Sequence, residues 1–356
     1  MRAFRPLYVA RLLVLLLMAS GLSLAPASAQ SATAKKKTAT GTTAKAPAKK
    51  PAYSASSAQA RKARLARARR AAQVREQQRL AALKARQETM TPRYKTDATG
   101  ALVPDIRAAA AIIFNPETGQ ILWQENAQDQ RSIASITKVM TAVVFLETQP
   151  DLSRVVTIER GDVFAASTTY LRTRDRISVG NLLHLTLIAS DNAAARALAR
   201  VSSHGGSEAF IERMNEKAIE LGLENTTFAD PSGLNPNNLS SAYDLSRLIT
   251  FASHDEQLSS IMRMATFTAR THNRSIAIRN TNQLVRGGEV DVLGGKTGFI
   301  RQAGYCLATL LRLPRGDHQI AVVVLGAGSN PARFWETRHL FNWLADRTGN
   351  IFGGEN

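Results

Sequence analysis

One cysteine, Cys306, occurs in 356 residues. That excludes an intramolecular disulfide and any multi-cysteine metal cluster. The segment around it, "AGYCLATLL", alternates like a buried strand, which makes Cys306 a core residue. The six histidines include no pair at His-x-x-x-His spacing, so neither a metal nor a cofactor is expected. Beyond residue 30 no apolar run reaches the length that spans a bilayer. Acid is scarce in one region only. Residues 31–100 hold 18 Lys and Arg against Glu76, Glu88 and Asp97, whereas residues 101–356 hold 25 of each sign. The net charge of +18 therefore belongs to the N-terminal third and not to the rest.

The chain begins with arginines at 2, 5 and 11, an apolar run from Leu12 to Met18, and the small-residue sequence Ala27-Ser28-Ala29. This reads as a secretory signal peptide over residues 1–29, cut before Gln30. Its apolar run is short for a membrane anchor. The expected location is outside the cytoplasm, periplasmic, soluble or peripherally attached to a membrane. Residues 30–103 form a basic low-complexity linker. The Ala, Ser, Thr, Lys and Pro up to residue 60 offer nothing to bury. "RKARLARARRAAQVREQQRLAALKARQ", from Arg61, is rich in helix formers. A basic helix suits an anionic partner or serves as a solvated spacer. In an exported protein the partner would be an anionic wall or membrane surface, and nucleic acid is not expected.

The folded domain is placed at residues 104–350. "AAAAIIFNPETGQILWQEN" reads as strand, turn, strand, and "SIASITKVMTAVVFLETQ" as one helix. Two further helices flank an interruption at Ser190-Asp191-Asn192, and amphipathic helices follow. Strands are expected at 266–271, 275–279, 290–297, 303–312 and 319–325, before a closing helix. Strands at both ends with helices between them predict an α+β fold, an antiparallel sheet covered by helices.

Three short motifs stand in order: Ser135-Ile136-Thr137-Lys138, Ser190-Asp191-Asn192 and Lys296-Thr297-Gly298. Ser-x-x-Lys alone arises by chance about once in a chain this long. The ordered set is far more specific. Residues three apart share a helix face, so Lys138 can reach Ser135. Ser135 lies near a helix start, where free N–H groups favour negative charge. A lysine shielded from water and placed beside a second cation loses basicity, and a neutral amine can take a serine proton. Lys296 could be that cation or could bind a carboxylate. Ser190 could relay the proton to a leaving amine, and Asn192 could hold substrate backbone. Gly298, after Thr297, would let a substrate strand lie against the edge strand. The N–H groups of Ser135 and Phe299 would form an oxyanion hole. Asp191 fits the cap of the following helix.

These motifs resemble the penicillin-binding proteins and serine β-lactamases. "ASITKVMTA", "GGKTGFIRQAGYCLA", "RNTNQLV" and "PSGLNPNNLSSAYDLSRL" are similar to the D-Ala-D-Ala carboxypeptidase and endopeptidase group of S11 type. The resemblance covers about 107–345 and implies the transpeptidase-like fold with an all-helical subdomain. It also implies peptidoglycan stem peptides as substrates and β-lactams as covalent inhibitors. One helix after the last strand points to the shorter penicillin-binding protein 7-like DD-endopeptidases, which cut cross-links. The alternatives are a carboxypeptidase that trims terminal D-Ala and a non-enzymatic penicillin-sensing or wall-binding protein. The Glu-x-x-Leu-Asn pattern of class A β-lactamases is absent; "DPSGLN" at Asp230 is the nearest match.

Overall fold

A computed structural model describes residues 55–314 and 317–347. The expected signal peptide and the expected linker up to residue 54 lie outside the described residues. The chain divides into two units, 1–69 and 70–356. The described part of the first is helical, and that helix, Ala55–Thr89, continues into the second. Leu65 and Val74 are nine residues apart and so lie on opposite sides of it, leaving no apolar stripe.

The second unit is built around a five-stranded antiparallel sheet. Its strands are β1 (Ala110–Phe114), β2 (Ile121–Glu125), β5 (Asp291–Ile300), β6 (Gly304–Arg312) and β7 (Gln319–Ala327), with β3 (Thr266–Arg270) and β4 (Ser275–Arg279) forming a separate hairpin. The spatial order is β5-β6-β7-β1-β2, so β5 is an edge strand. Strands from before and after the inserted helices thus meet in one sheet, and the α+β expectation holds.

The sheet is covered on both faces, which is why its inner strands read as unbroken apolar runs. Ile112, Ala308, Leu310, Val323 and Leu325 face a core shared with the inserted helices. Their neighbours Ile113, Leu307, Leu311, Val322 and Val324 face a second core with the closing helix, Asn330–Ala345. Burying each such side chain contributes about 1.5–3 kcal/mol. The closing helix is tied to the entry of β1 by Glu336, whose carboxylate accepts the N–H groups of Arg107 (3.0 Å) and Ala108 (3.1 Å).

The longer inserted helices are α1 (Thr137–Leu146), α2 (Val179–Ile188), α3 (Asn192–Val201), α4 (Ser207–Glu220) and α5 (Ala242–His254). Capping explains several of their starts. Ser178, Asp191 and Ser241 each accept an N–H of the first turn, at Asn181, Ala194 and Asp244. The expected single helix from Ser132 is broken. Ala134–Ile136 form a 3₁₀ turn before α1, with Ala134 at φ +49°. A left-handed non-glycine residue cannot continue an α-helix, so the turn tightens to i→i+3 bonding there.

Candidate active site

The three motifs converge. Ser135 comes from the 3₁₀ turn, Lys138 from α1, Ser190 and Asn192 from the α2–α3 junction, and Lys296 to Phe299 from the edge strand β5. A cavity of about 210 Å³ is lined by Ser135, Ser190, Asn192, Thr297, Gly298 and Phe299. The two lysines lie behind its wall, each with almost no exposure. Larger cavities of about 600 Å³ beside Trp335 and about 370 Å³ beside Phe251 hold no nucleophile next to a base.

Lys138 Nζ is 2.8 Å from Ser135 Oγ and 2.6 Å from Asn192 Oδ1, and it also meets the Ser232 carbonyl. Burial lowers its pKa from 10.5 to about 7, against the opposing pull of Asp230 and Asp191, and Arg196 lowers it further. Of the two causes the sequence suggested, shielding from water and a second cation, desolvation leads, and the cation that lowers Lys138 is Arg196 and not Lys296. Lys296 is itself pushed well below the ordinary lysine value, first by burial and then by Lys138 and Arg333. Its Nζ is 2.8 Å from Ser190 Oγ and 3.0 Å from the Thr297 carbonyl. The site thus holds two serine–lysine pairs, either of which can move a proton.

Backbone strain sets this geometry. Ser190 has φ +59° and Ala134 φ +49°, both left-handed and costing on the order of 1–3 kcal/mol each. The Ser190 conformation closes the break between α2 and α3 and turns its hydroxyl to Lys296.

Two residues expected to serve substrate have close protein neighbours. Asn192, expected to bind substrate backbone, has its amide occupied: Oδ1 by Lys138, and Nδ2 by the Ala166 carbonyl at 2.7 Å. Its contacts are those of a group that orients the lysine. Gly298 was expected to make room for substrate. A Cβ there would lie 2.5 Å from the Ile133 carbonyl, so the glycine lets β5 approach the turn carrying Ser135. Gly233 does the same from the other side. Its φ is +79°, and a Cβ would overlap the Ala134–Ser135 peptide. Asp191 is a cap, buried, and also accepts from Tyr170 N (2.6 Å) and Thr169 Oγ1 (3.0 Å).

In a strand, residues two apart turn their N–H and C=O groups to the same side. The Phe299 amide therefore shares the side of the Thr297 carbonyl, which meets Lys296 Nζ. Thr297 Oγ1 is 2.7 Å from Thr281 Oγ1, which also lines the cavity.

Arg333, missed in the sequence, completes the wall. Its guanidinium is buried, bonded to the carbonyls of Gly298 (2.9 Å) and Cys306 (3.1 Å), and burial lowers its pKa to about 10. It places a cation beside Thr297 and Gly298. Among the described residues no group of three His, Cys, Asp or Glu could hold a metal ion. Nor is any helix among them long and apolar enough to cross a membrane.

A nucleophile-bearing turn between an all-helical region and an antiparallel edge strand, backed by two buried lysines, defines a serine acyl-transfer architecture. Residues 97–329 match the family described as D-alanyl-D-alanine carboxypeptidase, peptidase S11. The D-alanyl-D-alanine endopeptidase of Pseudomonas aeruginosa is 34% identical over 254 residues, 70% of this chain and 80% of its own. That of Escherichia coli is 34% identical over 260 residues, 71% of this chain and 82% of its own. The crystal structure of a Streptomyces DD-transpeptidase shares the fold at a TM-score of 0.63 and 31% identity, covering 67% of this chain and 97% of that one. The chain belongs to this family of serine DD-peptidases.

Proposed function

We propose that the protein is an exported D-alanyl-D-alanine endopeptidase that cuts peptidoglycan cross-links through an acyl-enzyme on Ser135. The observation that carries this is Lys138: an amine 2.8 Å from Ser135 Oγ, fully buried, with a pKa of about 7. Neutral Lys138 takes the Ser135 proton as Oγ attacks the carbonyl of the D-Ala residue. The oxyanion forms against the amides of Ser135 and Phe299. Ser190, held by Lys296, relays the proton taken by Lys138 to the departing amine, which leaves Lys138 neutral again, and Thr297 with Arg333 receives a carboxylate next to the scissile bond. Water then releases Ser135. The supported role of Asn192 is to orient Lys138.

Endopeptidase is favoured over carboxypeptidase by the name that the Pseudomonas aeruginosa and Escherichia coli relatives carry at 34% identity; length does not decide it, since a Streptomyces carboxypeptidase, 32% identical, aligns over 90% of its own chain. The test is incubation of the purified protein with cross-linked muropeptides and, separately, with pentapeptide monomers. Release of monomers from the dimers is expected; loss of only the terminal D-Ala would replace the reading with carboxypeptidase. Ser135→Ala should abolish both penicillin labelling and cleavage while the melting temperature stays within a few degrees. Retained labelling would end the proposal.

The 104–350 span is the proposed catalytic domain, and the signal peptide the proposed route of export. The helix Ala55–Thr89 carries ten Lys and Arg against two acids, without an apolar stripe. Those features suit electrostatic attachment to an anionic wall or membrane surface without insertion. Removing residues 30–90 should weaken sedimentation with anionic vesicles or isolated walls; unchanged sedimentation of both would exclude it.

A further inference from the structure

The balanced charge of residues 101–356 conceals a local excess. The segments 163–181 and 264–282 contain six arginines and one acid, Asp175. Asp175 is buried and neutralised by Arg274, whose guanidinium lies 2.6 Å from its carboxylate. Arg274 also donates to the Tyr170 carbonyl at 2.7 Å, fixing the loop before the short strand Arg176–Ser178 to the β3–β4 hairpin. Backbone contacts join the same parts: Ile177 bridges Thr271, and His272 N–H donates to the Arg176 carbonyl at 2.8 Å. The other five arginines, Arg172, Arg174, Arg176, Arg270 and Arg279, are exposed and have no ion-pair partner among the described residues.

These five are arranged, not scattered. Arg270 and Arg279 occupy the solvent face of the hairpin, alternating with buried Ala269 and Ile278. Arg176, Arg270 and His272 line one surface pocket of about 260 Å³, with Ser178 and Asn181. Both arms of the patch run into the catalytic cavity. Thr168 lines that cavity and lies four residues before Arg172; Thr281 lines it and lies two residues after Arg279. An extended chain leaving the cavity along β4 would meet the first of these cations within about 7 Å.

We propose that this arginine patch is an extended substrate site that binds the free carboxylates of an acidic peptide whose scissile bond occupies the cavity. The inference rests on the DD-peptidase reading and names the part of the substrate that reading leaves unplaced. Charge complementarity and continuity with the cavity select the occupant. A stem-peptide dimer bears several carboxylates, and guanidinium groups pair with carboxylates in planar, two-point fashion. The surface is open, so each pair is weak and the effect arises from the set.

The test uses full-length protein carrying Ser135→Ala, so that binding is read without turnover. The probes are a cross-linked stem-peptide dimer and the same dimer amidated at every carboxylate except the one next to the scissile bond, each titrated calorimetrically at low and high salt. The carboxylate form should bind roughly tenfold more tightly at low salt, as expected for three exposed charge pairs. Adding Arg174→Gln, Arg176→Gln and Arg270→Gln, which leaves Arg172 and Arg279, should remove most of that difference and most of the salt dependence. Equal affinity for the two dimers, or a preference undiminished by the three substitutions, overturns the proposal. So does loss of anionic-vesicle binding with dimer affinity unchanged, which would assign the patch to a lipid surface. Penicillin acylation by protein with Ser135 intact reports separately on the catalytic reading, since the small lactam does not reach the patch.

Discussion

If neutral Lys138 is the base, acylation of Ser135 must fail on the acid side of pH 7. The structure sets the scale. With its pKa at about 7, Lys138 is about half neutral at pH 7, whereas a lysine at 10.5 would be neutral in roughly one molecule in 3,000. The lowered pKa, with burial as its leading cause, therefore supplies on the order of a thousandfold in reactive fraction. The second-order rate of labelling by a fluorescent penicillin, measured from pH 5 to 9, should plateau above pH 8 and fall about tenfold per unit below pH 7. Lys138→Arg, which stays charged, should remove acylation at every pH. Lys296→Arg should slow it and leave the acid limb in place. A rate that stays flat to pH 5 would refute the assignment. The same group affects stability. Its pKa is lower folded than unfolded, so the unfolded chain holds more protons between pH 7 and 10.5, and stability rises with pH across that window. The whole contribution, on the order of 5 kcal/mol, is lost once pH falls below about 7.

Asp230→Asn removes a carboxylate that favours protonated Lys138, so the acid limb should move to lower pH; an unmoved midpoint would show that Asp230 acts only on its loop. Gly233→Ala should nearly abolish penicillin labelling and lower stability by about 1–3 kcal/mol, since the new methyl meets the Ala134–Ser135 peptide at a left-handed φ; normal labelling would mean that the turn can yield. Glu336→Ala leaves the N–H groups of Arg107 and Ala108 without their acceptor and should cost about 1–3 kcal/mol in denaturant unfolding, with labelling retained. The Cys306 thiol, buried and raised to about 11, should resist a thiol reagent in the native protein and react only in denaturant; rapid native modification would contradict its placement in the sheet.

Much of this was written in the sequence because spacing encodes geometry. Ser135 and Lys138 meet because a helical turn brings residues three apart together, and the apolar runs of β6 and β7 announce a sheet covered on both sides. Asp191 announced a helix start and caps one. What stayed hidden depends on contacts between distant segments. Arg333 sits in a helix that could equally present it to solvent; only the fold turns it under Gly298 and Cys306. Nothing near Gly233 in sequence signals that Ala134, about a hundred residues earlier, presses against it. The arginine patch vanishes in a net charge of zero, because its cations are close in space and their balancing acids are not.

The pair Lys138 and Asn192 shows how a motif's spacing leaves the contacts of its members open. An asparagine lining a cavity can turn its amide to a substrate or to the protein, and composition is the same either way. Here the lysine decides. A buried ammonium needs acceptors, and Asn192 Oδ1 and the Ser232 carbonyl supply them; a buried amine that is to accept a proton needs those same acceptors not to hold its protonated form too tightly. Carbonyl oxygens meet both demands, because they orient the nitrogen without the full charge of a carboxylate. Of the two nearby carboxylates, Asp230 is spent on the Gly233 N–H of its own loop, and Asp191 on the N–H groups of Ala194, in the helix it caps, and of Tyr170. The site keeps Lys138 near neutrality by surrounding it with dipoles and keeping its counter-charges one layer back.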